Sequence, residues 1–196
     1  MKISSLLLMA LLACIVGTPV FADSHGNFSG RGSKEAYDRS LQISVQALEA
    51  SKRKDYQKAI ELDNEAIGTY PYESQWHNNL GCHLRFIGKL EAAQKAEEQA
   101  LVLEPTFVGA WIDLGVCFET MHKLADAERC YRKAVEFDPK SYGALGDLGD
   151  ILRQEGKFEE ARQWLLKAKN CPESAKFPGE IDKMLIQCEQ PKKPPN

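Results

Sequence analysis

The chain has 196 residues and a formal net charge of −3, with 25 basic side chains against 28 acidic ones. This length allows one ordinary domain with short extensions and excludes two large catalytic domains. The charge excludes the strongly basic surface typical of nucleic-acid-binding proteins, and a hydrophobic content of 43% excludes general disorder.

Residues 1–22 predict a secretory signal peptide. Lys2 supplies a positive start, an apolar run follows over residues 3–16, and small residues end the segment at Ala22. The run is shorter than the about 20 apolar residues that a membrane-spanning helix needs. Cleavage after Ala22 predicts an exported protein, periplasmic or extracellular, with no membrane span left. The alternative is a lipoprotein in which Cys14, at the end of the sequence Leu-Leu-Ala-Cys, is acylated.

The two ends of the mature chain are polar. Residues 23–38 are rich in Gly and Ser and predict a flexible linker. The Pro-rich residues 191–196 predict a disordered tail.

Between these ends the sequence repeats every 34 residues. Shifting the chain against itself by this period aligns Leu-Gly pairs, alanines and prolines. The aligned residues are Leu80-Gly81, Leu114-Gly115 and Leu148-Gly149; Ala93, Ala127 and Ala161; Ala100, Ala134 and Ala168; and Pro105 with Pro139. A weaker copy begins near Ser40, so the pattern predicts four similar units.

Each unit predicts two antiparallel helices and no strand. Apolar residues recur at i, i+3, i+4 and i+7, and a short connection such as residues 121–124 favours antiparallel neighbours. Gly81, Gly115 and Gly149 lie in mid-helix, where Gly costs roughly 1 kcal/mol relative to Ala, so they predict a close approach of the paired helix. The small residues expected opposite them are Ala93, Ala127 and Ala161.

These landmarks resemble the tetratricopeptide repeat. The third copy matches best, with Trp111, Leu114-Gly115, Phe118, Ala127, Tyr131, Ala134 and Pro139. In the first copy Asp63 replaces the second aromatic residue. The resemblance implies an all-α, right-handed superhelical stack of antiparallel helix pairs over residues 40–173, with repeats at about 40–73, 74–107, 108–141 and 142–173. Because the last pair needs a cover, residues 174–190 are expected to hold a capping helix.

No catalytic constellation accompanies the repeats. The sequence has no GxSxG, CxxC or CxxCH motif, and no GxGxxG follows a strand. Cys82 and His83 are adjacent, so on a helix they point about 100° apart and do not chelate one metal in the i, i+4 manner. We therefore expect no enzyme, no cofactor and no metal site. A thiol- or metal-handling protein that uses Cys82 and His83 is a third hypothesis.

Five cysteines remain after removal of the signal peptide, and export would expose them to an oxidising compartment. Cys117 and Cys130 lie at equal distances from the turn of the third copy. Cys171 and Cys188 are centred on the break before the capping helix. Each pair is a candidate disulfide across a helical hairpin, provided that the Cα atoms lie about 4.4–6.8 Å apart. The alternative is a buried thiol that packs as a small apolar side chain.

The resemblance implies that the first helices line a concave groove for a peptide or partner domain. Residues that recur every 34 positions on these helices are the candidate site: Asn78, Asn79, Arg85, Asp113, Glu119, Asp147, Asp150 and Arg153. Asp113, Asp147 and Asp150 form an acidic cluster, which favours a protein partner with Lys or Arg and an affinity that falls in salt. Nucleic acid is not an expected partner, and no membrane span is expected after cleavage of the signal peptide.

These observations favour an exported scaffold that mediates protein–protein interaction in an envelope assembly. The alternative for the anchored form is an outer-membrane accessory lipoprotein that supports pilus or secretin assembly.

Overall fold

The computed structural model describes residues 33–189, and no strand occurs among them. They form nine α-helices and one short 3₁₀-helix at Pro172–Lys176. In chain order the α-helices are Lys34–Lys52 (α1), Tyr56–Thr69 (α2), Ser74–Phe86 (α3), Leu90–Leu103 (α4), Val108–Thr120 (α5), Leu124–Phe137 (α6), Tyr142–Gln154 (α7), Phe158–Lys169 (α8) and Glu180–Glu189 (α9).

The helices pack as four sequential pairs, α1 with α2, α3 with α4, α5 with α6 and α7 with α8. Each second helix packs on the first helix of the next pair, and α5 also contacts α3 and α7 along one side of the stack. The helix α9 packs on α8 and α7, with Ile181 and Cys188 buried. The expected fold is confirmed: a right-handed superhelical stack of helix pairs with a capping helix.

The helix α1 begins at Lys34, inside the segment predicted to be a flexible linker. The side chain of Ser33 caps it by accepting a hydrogen bond from the Ala36 amide at 3.1 Å. Tyr37 in its first turn lies 5.4 Å from Tyr70 and 6.4 Å from Trp76, measured between ring centroids. This aromatic packing against the first two repeats orders residues whose composition alone suggested a linker.

The three mid-helix glycines do allow close approach of the paired helix. A Cβ atom at Gly81, Gly115 or Gly149 would lie 2.1 to 2.6 Å from a side chain of the second helix of the same pair. The side chains in contact are Glu97, Tyr131 and Leu165, one turn beyond the alanines expected from the sequence. At Gly149 the carbonyl oxygen of Ala161 is also near, at 3.3 Å.

The turn inside each pair contains one residue with a left-handed backbone, again every 34 positions. These residues are Lys54, Gly88, His122 and Gly156, with φ between 59° and 79°. Glycine adopts this conformation without the steric cost of a Cβ atom, whereas other L-residues lose roughly 1–2 kcal/mol there. Two of the four turns are therefore strained.

We expect His122→Gly to stabilise the protein by about 1 kcal/mol, since it removes this strain at an exposed position. Thermal unfolding followed by circular dichroism measures the effect as an increase of about 2–4 °C in Tm. The matched control is Lys123→Gly, because Lys123 has an ordinary φ of −94° and gains nothing from the change. An equal response of the two variants would contradict the strain at His122.

The prediction of disulfides is wrong: none of the five cysteines among residues 33–189 forms a disulfide, and all five are buried. Cys117 packs with Leu84 and Ala93 of the preceding pair, and the Cys171 thiol donates to the carbonyl oxygen of Lys140 at 3.5 Å. Equal distance from a turn does not fix the rotation of each side chain about its helix. Burial raises the pKa of the Cys130 thiol to about 12, which keeps it protonated and unreactive.

The signal peptide predicted at residues 1–22, with Cys14, and the tail predicted at residues 191–196 lie outside the described residues. Within residues 33–189, no helix combines the length and the apolar character needed to cross a membrane.

Candidate peptide-binding groove

The eight candidate site residues lie on the first helices α3, α5 and α7, of which α5 contacts both α3 and α7. They divide into two groups by exposure. Asn78, Asn79, Arg85 and Asp113 are buried. The partly exposed residues are Glu119, Asp147, Asp150 and Arg153. The two groups have different partners.

Asp113 of α5 is the centre of a buried polar network. Its Oδ1 accepts a hydrogen bond from Arg85 Nη2 at 3.1 Å. Its Oδ2 accepts from Asn78 Nδ2 at 3.0 Å and from Cys82 Sγ at 3.2 Å. The same Asn78 amide nitrogen donates to Glu97 Oε2 on α4 at 2.8 Å. The network therefore joins three helices of the second and third repeats and is directed into the stack.

Arg85 is the positive charge of this network. Burial of its guanidinium disfavours the charged form, but the neighbouring acidic groups, Asp113 above all, outweigh burial and raise the pKa of Arg85. Arg85 and Asp113 thus form a buried ion pair, in which each charge depends on the other for compensation.

Asn79 contacts the first repeat instead. It donates from Nδ2 to Ser44 Oγ on α1 at 3.3 Å and accepts from Gln75 Nε2 at 2.9 Å. Its side chain thus joins α1 to α3.

Two buried carboxyl groups were missed as site residues. Asp63 and Glu97 occupy the position at which the third repeat has Tyr131. Asp63 Oδ2 lies 2.6 Å from His83 Nδ1, and burial raises the pKa of Asp63 although His83 opposes the shift. Burial, reinforced by Asp113 and Cys82, raises the pKa of Glu97 well above its usual value. The 34-residue alignment could have revealed them, because it places the acidic Asp63 and Glu97 at the position of the aromatic Tyr131.

Cys82 and His83 face different partners. The Cys82 thiol contacts Asp113, whereas the His83 ring contacts Asp63. The geometry therefore separates the two residues of the third hypothesis, as the angle between neighbouring helix positions predicts.

The partly exposed group forms an acidic patch at the carboxyl-terminal half of the stack, which we define as Glu119, Asp147 and Asp150. Gln154 Nε2 bridges the patch by donating to Glu119 Oε1 at 2.7 Å and to Asp150 Oδ2 at 3.0 Å. Arg153 binds Asp150 Oδ1 with two nitrogens, at 2.8 and 2.6 Å. Arg153 thus places a cation within bonding distance of the patch.

Asp147 is the residue of the patch whose charge is least compensated. Burial raises its pKa well above the usual value, and the negative charges of Glu119 and Asp150 add to the shift. A cation brought close to Asp147 would relieve this repulsion. The patch is therefore suited to a Lys or Arg side chain supplied from outside.

At the amino-terminal end of the stack, α1 carries apolar residues at repeat positions that correspond to those of the site residues. Leu41, Val45 and Leu48 follow one another at helical spacing on α1, and Leu41 and Val45 are exposed. One side of the stack therefore presents an apolar stripe on α1 and the acidic patch on α5 and α7.

The stacked helix pairs, with an apolar stripe and an acidic patch on one side, define a helical-repeat protein. Residues 118–175 match the family model of the tetratricopeptide repeat. Among proteins with curated descriptions, none matches this chain in sequence. The chain is thus similar to tetratricopeptide-repeat proteins in its 34-residue period and, over residues 118–175, in its sequence.

Similar solved structures share the fold. A crystal structure of MamA is 21% identical with a TM-score of 0.62, over 73% of this chain and 89% of MamA. The first tetratricopeptide domain of Spaghetti (RPAP3), bound to the HSP90 peptide SRMEEVD, is 18% identical with a TM-score of 0.60, over 65% and 99%. The second such domain of human RPAP3, in complex with the HSP70 peptide SGPTIEEVD, is 21% identical with a TM-score of 0.56, over 59% and 97%.

Proposed function

We propose that the protein is an exported scaffold that binds a segment of a partner protein in the groove lined by its first helices. The observation that carries the proposal is the difference in polarity along this groove. It presents an apolar stripe on α1 and the acidic patch on α5 and α7. No catalytic step is part of the proposal.

The proposed partner carries basic and apolar residues. Basic residues complement Asp147 and Asp150, and apolar residues cover Leu41 and Val45 on α1. The RPAP3 domains bind the peptides SRMEEVD and SGPTIEEVD, both of which end in acidic sequences. The acidic patch of this chain would repel such a peptide, so we propose a different specificity on the same fold.

Export is part of the proposal, with a role in an envelope assembly. It rests on the signal-peptide pattern at residues 1–22. Mass spectrometry of the mature chain distinguishes the forms: Asp23 as first residue supports cleavage, and an acylated Cys14 supports the anchored alternative.

The groove is tested by charge reversal. We expect Asp147→Lys with Asp150→Lys to weaken binding of a labelled peptide of alternating lysine and leucine by at least about tenfold, because two carboxyl groups that can pair with lysine are replaced by positive charges that repel it. Fluorescence anisotropy measures the affinity, which should also fall as salt is raised. The same peptide with glutamate in place of lysine should bind the wild-type protein more weakly.

The matched control is Glu65→Lys with Glu98→Lys, which changes the net charge equally at exposed positions on the second helices α2 and α4. This control should bind the lysine peptide almost as well as the wild-type protein. If both double variants lose the same affinity, only the overall charge matters and the groove is not the binding site.

A further inference from the structure

Three potential metal ligands meet inside the stack, away from the acidic patch. They are Cys82 on α3, Glu97 on α4 and Asp113 on α5, and each is buried. One ligand atom from each residue lies within 4.8 Å of the other two, and Cys82 Sγ lies 3.2 Å from Asp113 Oδ2. The cluster therefore combines one sulfur and two oxygen donors from three helices.

Glu97 gives a second, independent indication that this cluster binds a ligand. Its side chain has no exposed surface, and its Oε1 has no hydrogen-bond partner. This oxygen lies beneath Gly81, where a Cβ atom would be only 2.1 Å away. Leaving a buried carboxyl oxygen without a partner costs free energy, and a bound cation would remove that cost.

We propose that Cys82, Glu97 and Asp113 form a binding site for one divalent transition metal ion, with Zn²⁺ as the expected ion. Zn²⁺ accepts thiolate and carboxylate ligands together, with bonds of about 2.0–2.3 Å. Three ligand atoms that all lie within 4.8 Å of one another share a point no more than about 2.8 Å from each of them, which is less than about 1 Å longer than a bond to Zn²⁺. Small side-chain movements therefore bring all three atoms to bonding distance.

Charge balance is compatible with this site. Without the ion, a thiol at Cys82 and a protonated Glu97 leave Asp113 and Arg85 as one neutral pair. With the ion, Cys82 and Glu97 each release a proton to solvent, and the three anionic ligands are balanced by the ion and Arg85. Binding thus exchanges two protons for one divalent cation and leaves the buried net charge unchanged.

Arg85 and Asn78 suit supporting roles around this site. Arg85 contacts Asp113 Oδ1 and so orients Oδ2 towards Cys82. The Asn78 amide nitrogen lies 2.8 Å from Glu97 and 3.0 Å from Asp113. Rotation of this amide by half a turn would present its oxygen to the ion as a fourth ligand.

The consequence is a metal-dependent connection between repeats. An ion held by α3, α4 and α5 would fasten the second repeat to the third, beyond what the binding of a partner in the groove requires. Ion binding would add to the stability of the folded chain in proportion to its affinity and concentration.

Cobalt substitution tests the site directly. Full-length mature protein is refolded under reducing conditions with Co²⁺, so that the buried ligands are accessible during loading. We expect one bound ion per chain with the thiolate-to-cobalt charge-transfer absorption in the near ultraviolet, and displacement of Co²⁺ by Zn²⁺, which binds such sites more tightly. Refolded wild-type protein without this absorption would overturn the proposal.

Variants assign the ligands. Cys82→Ser should abolish the charge-transfer absorption, whereas Cys130→Ser should keep it, because Cys130 is a buried thiol outside the cluster. Glu97→Gln preserves shape and should fold, which circular dichroism checks, yet should bind Co²⁺ more than about tenfold more weakly. Unchanged absorption in Cys82→Ser, or unchanged affinity in Glu97→Gln, would show that Co²⁺ binds elsewhere and would overturn the assignment.

Discussion

Replacement of Gly115 by alanine is expected to lower the free energy of unfolding by about 3 kcal/mol, because the new Cβ atom has no space. It would lie 2.5 Å from Cε1 of Tyr131 on the paired helix. The Tyr131 ring is fully buried, and its hydroxyl donates to Glu119 Oε2 at 3.0 Å. The ring cannot move aside without losing packing and this hydrogen bond, so the helices must separate.

The matched control is Gly68→Ala in α2, where nothing lies within 4 Å of the new Cβ atom. There alanine should raise stability, by up to about 1 kcal/mol, through its better helix propensity. Urea unfolding followed by circular dichroism measures both variants. In Gly115→Ala with Tyr131→Ala, the two effects should be less than additive because the clash is gone. Equal stability of Gly115→Ala and Gly68→Ala would contradict the close approach at Gly115.

The 34-residue period predicted most of the fold because a repeat places the same contact at the same position in every copy. Gly81, Gly115 and Gly149 indicated tight helix pairs, and the apolar spacing of residues 179–190 indicated the cap on the last pair. The period did not predict the start of α1 at Lys34, because this start depends on the contact of Tyr37 with residues more than 30 positions away.

The candidate site was only partly predictable for a related reason. Periodicity shows which residues share a side of the stack, and it does not show how deep each one lies. Asp113 and Asp147 are equivalent in the repeat, yet Asp113 is buried against Asn78 and Arg85 of α3, and Asp147 is partly exposed. A polar residue on a helix is ordinarily solvated, so the burial of Glu97 required the three-dimensional packing of α3, α4 and α5.

Loss of the Arg85 charge should have a still larger effect on stability. We expect Arg85→Met to lower the free energy of unfolding by about 3–5 kcal/mol, because Asp113 would remain as a buried charge without its cation. The apolar methionine fills much of the volume of arginine, so the loss reports charge rather than a large cavity. Urea unfolding in the presence of a chelator keeps metal ions from contributing.

Two further variants separate the charge from the packing. Adding Asp113→Asn to Arg85→Met removes the uncompensated charge and should recover at least about 2 kcal/mol. The control is Arg132→Met, which breaks two pairs of Arg132 at 2.7 Å, one with the partly exposed Glu160 and one with Glu128. Solvent screens the pair with Glu160, and Lys157 still compensates Glu128 at 2.7 Å, so the loss should stay below about 1 kcal/mol. Similar losses in Arg85→Met and Arg132→Met, or no recovery in the double variant, would mean that the buried pair does not join the second and third repeats through its charges.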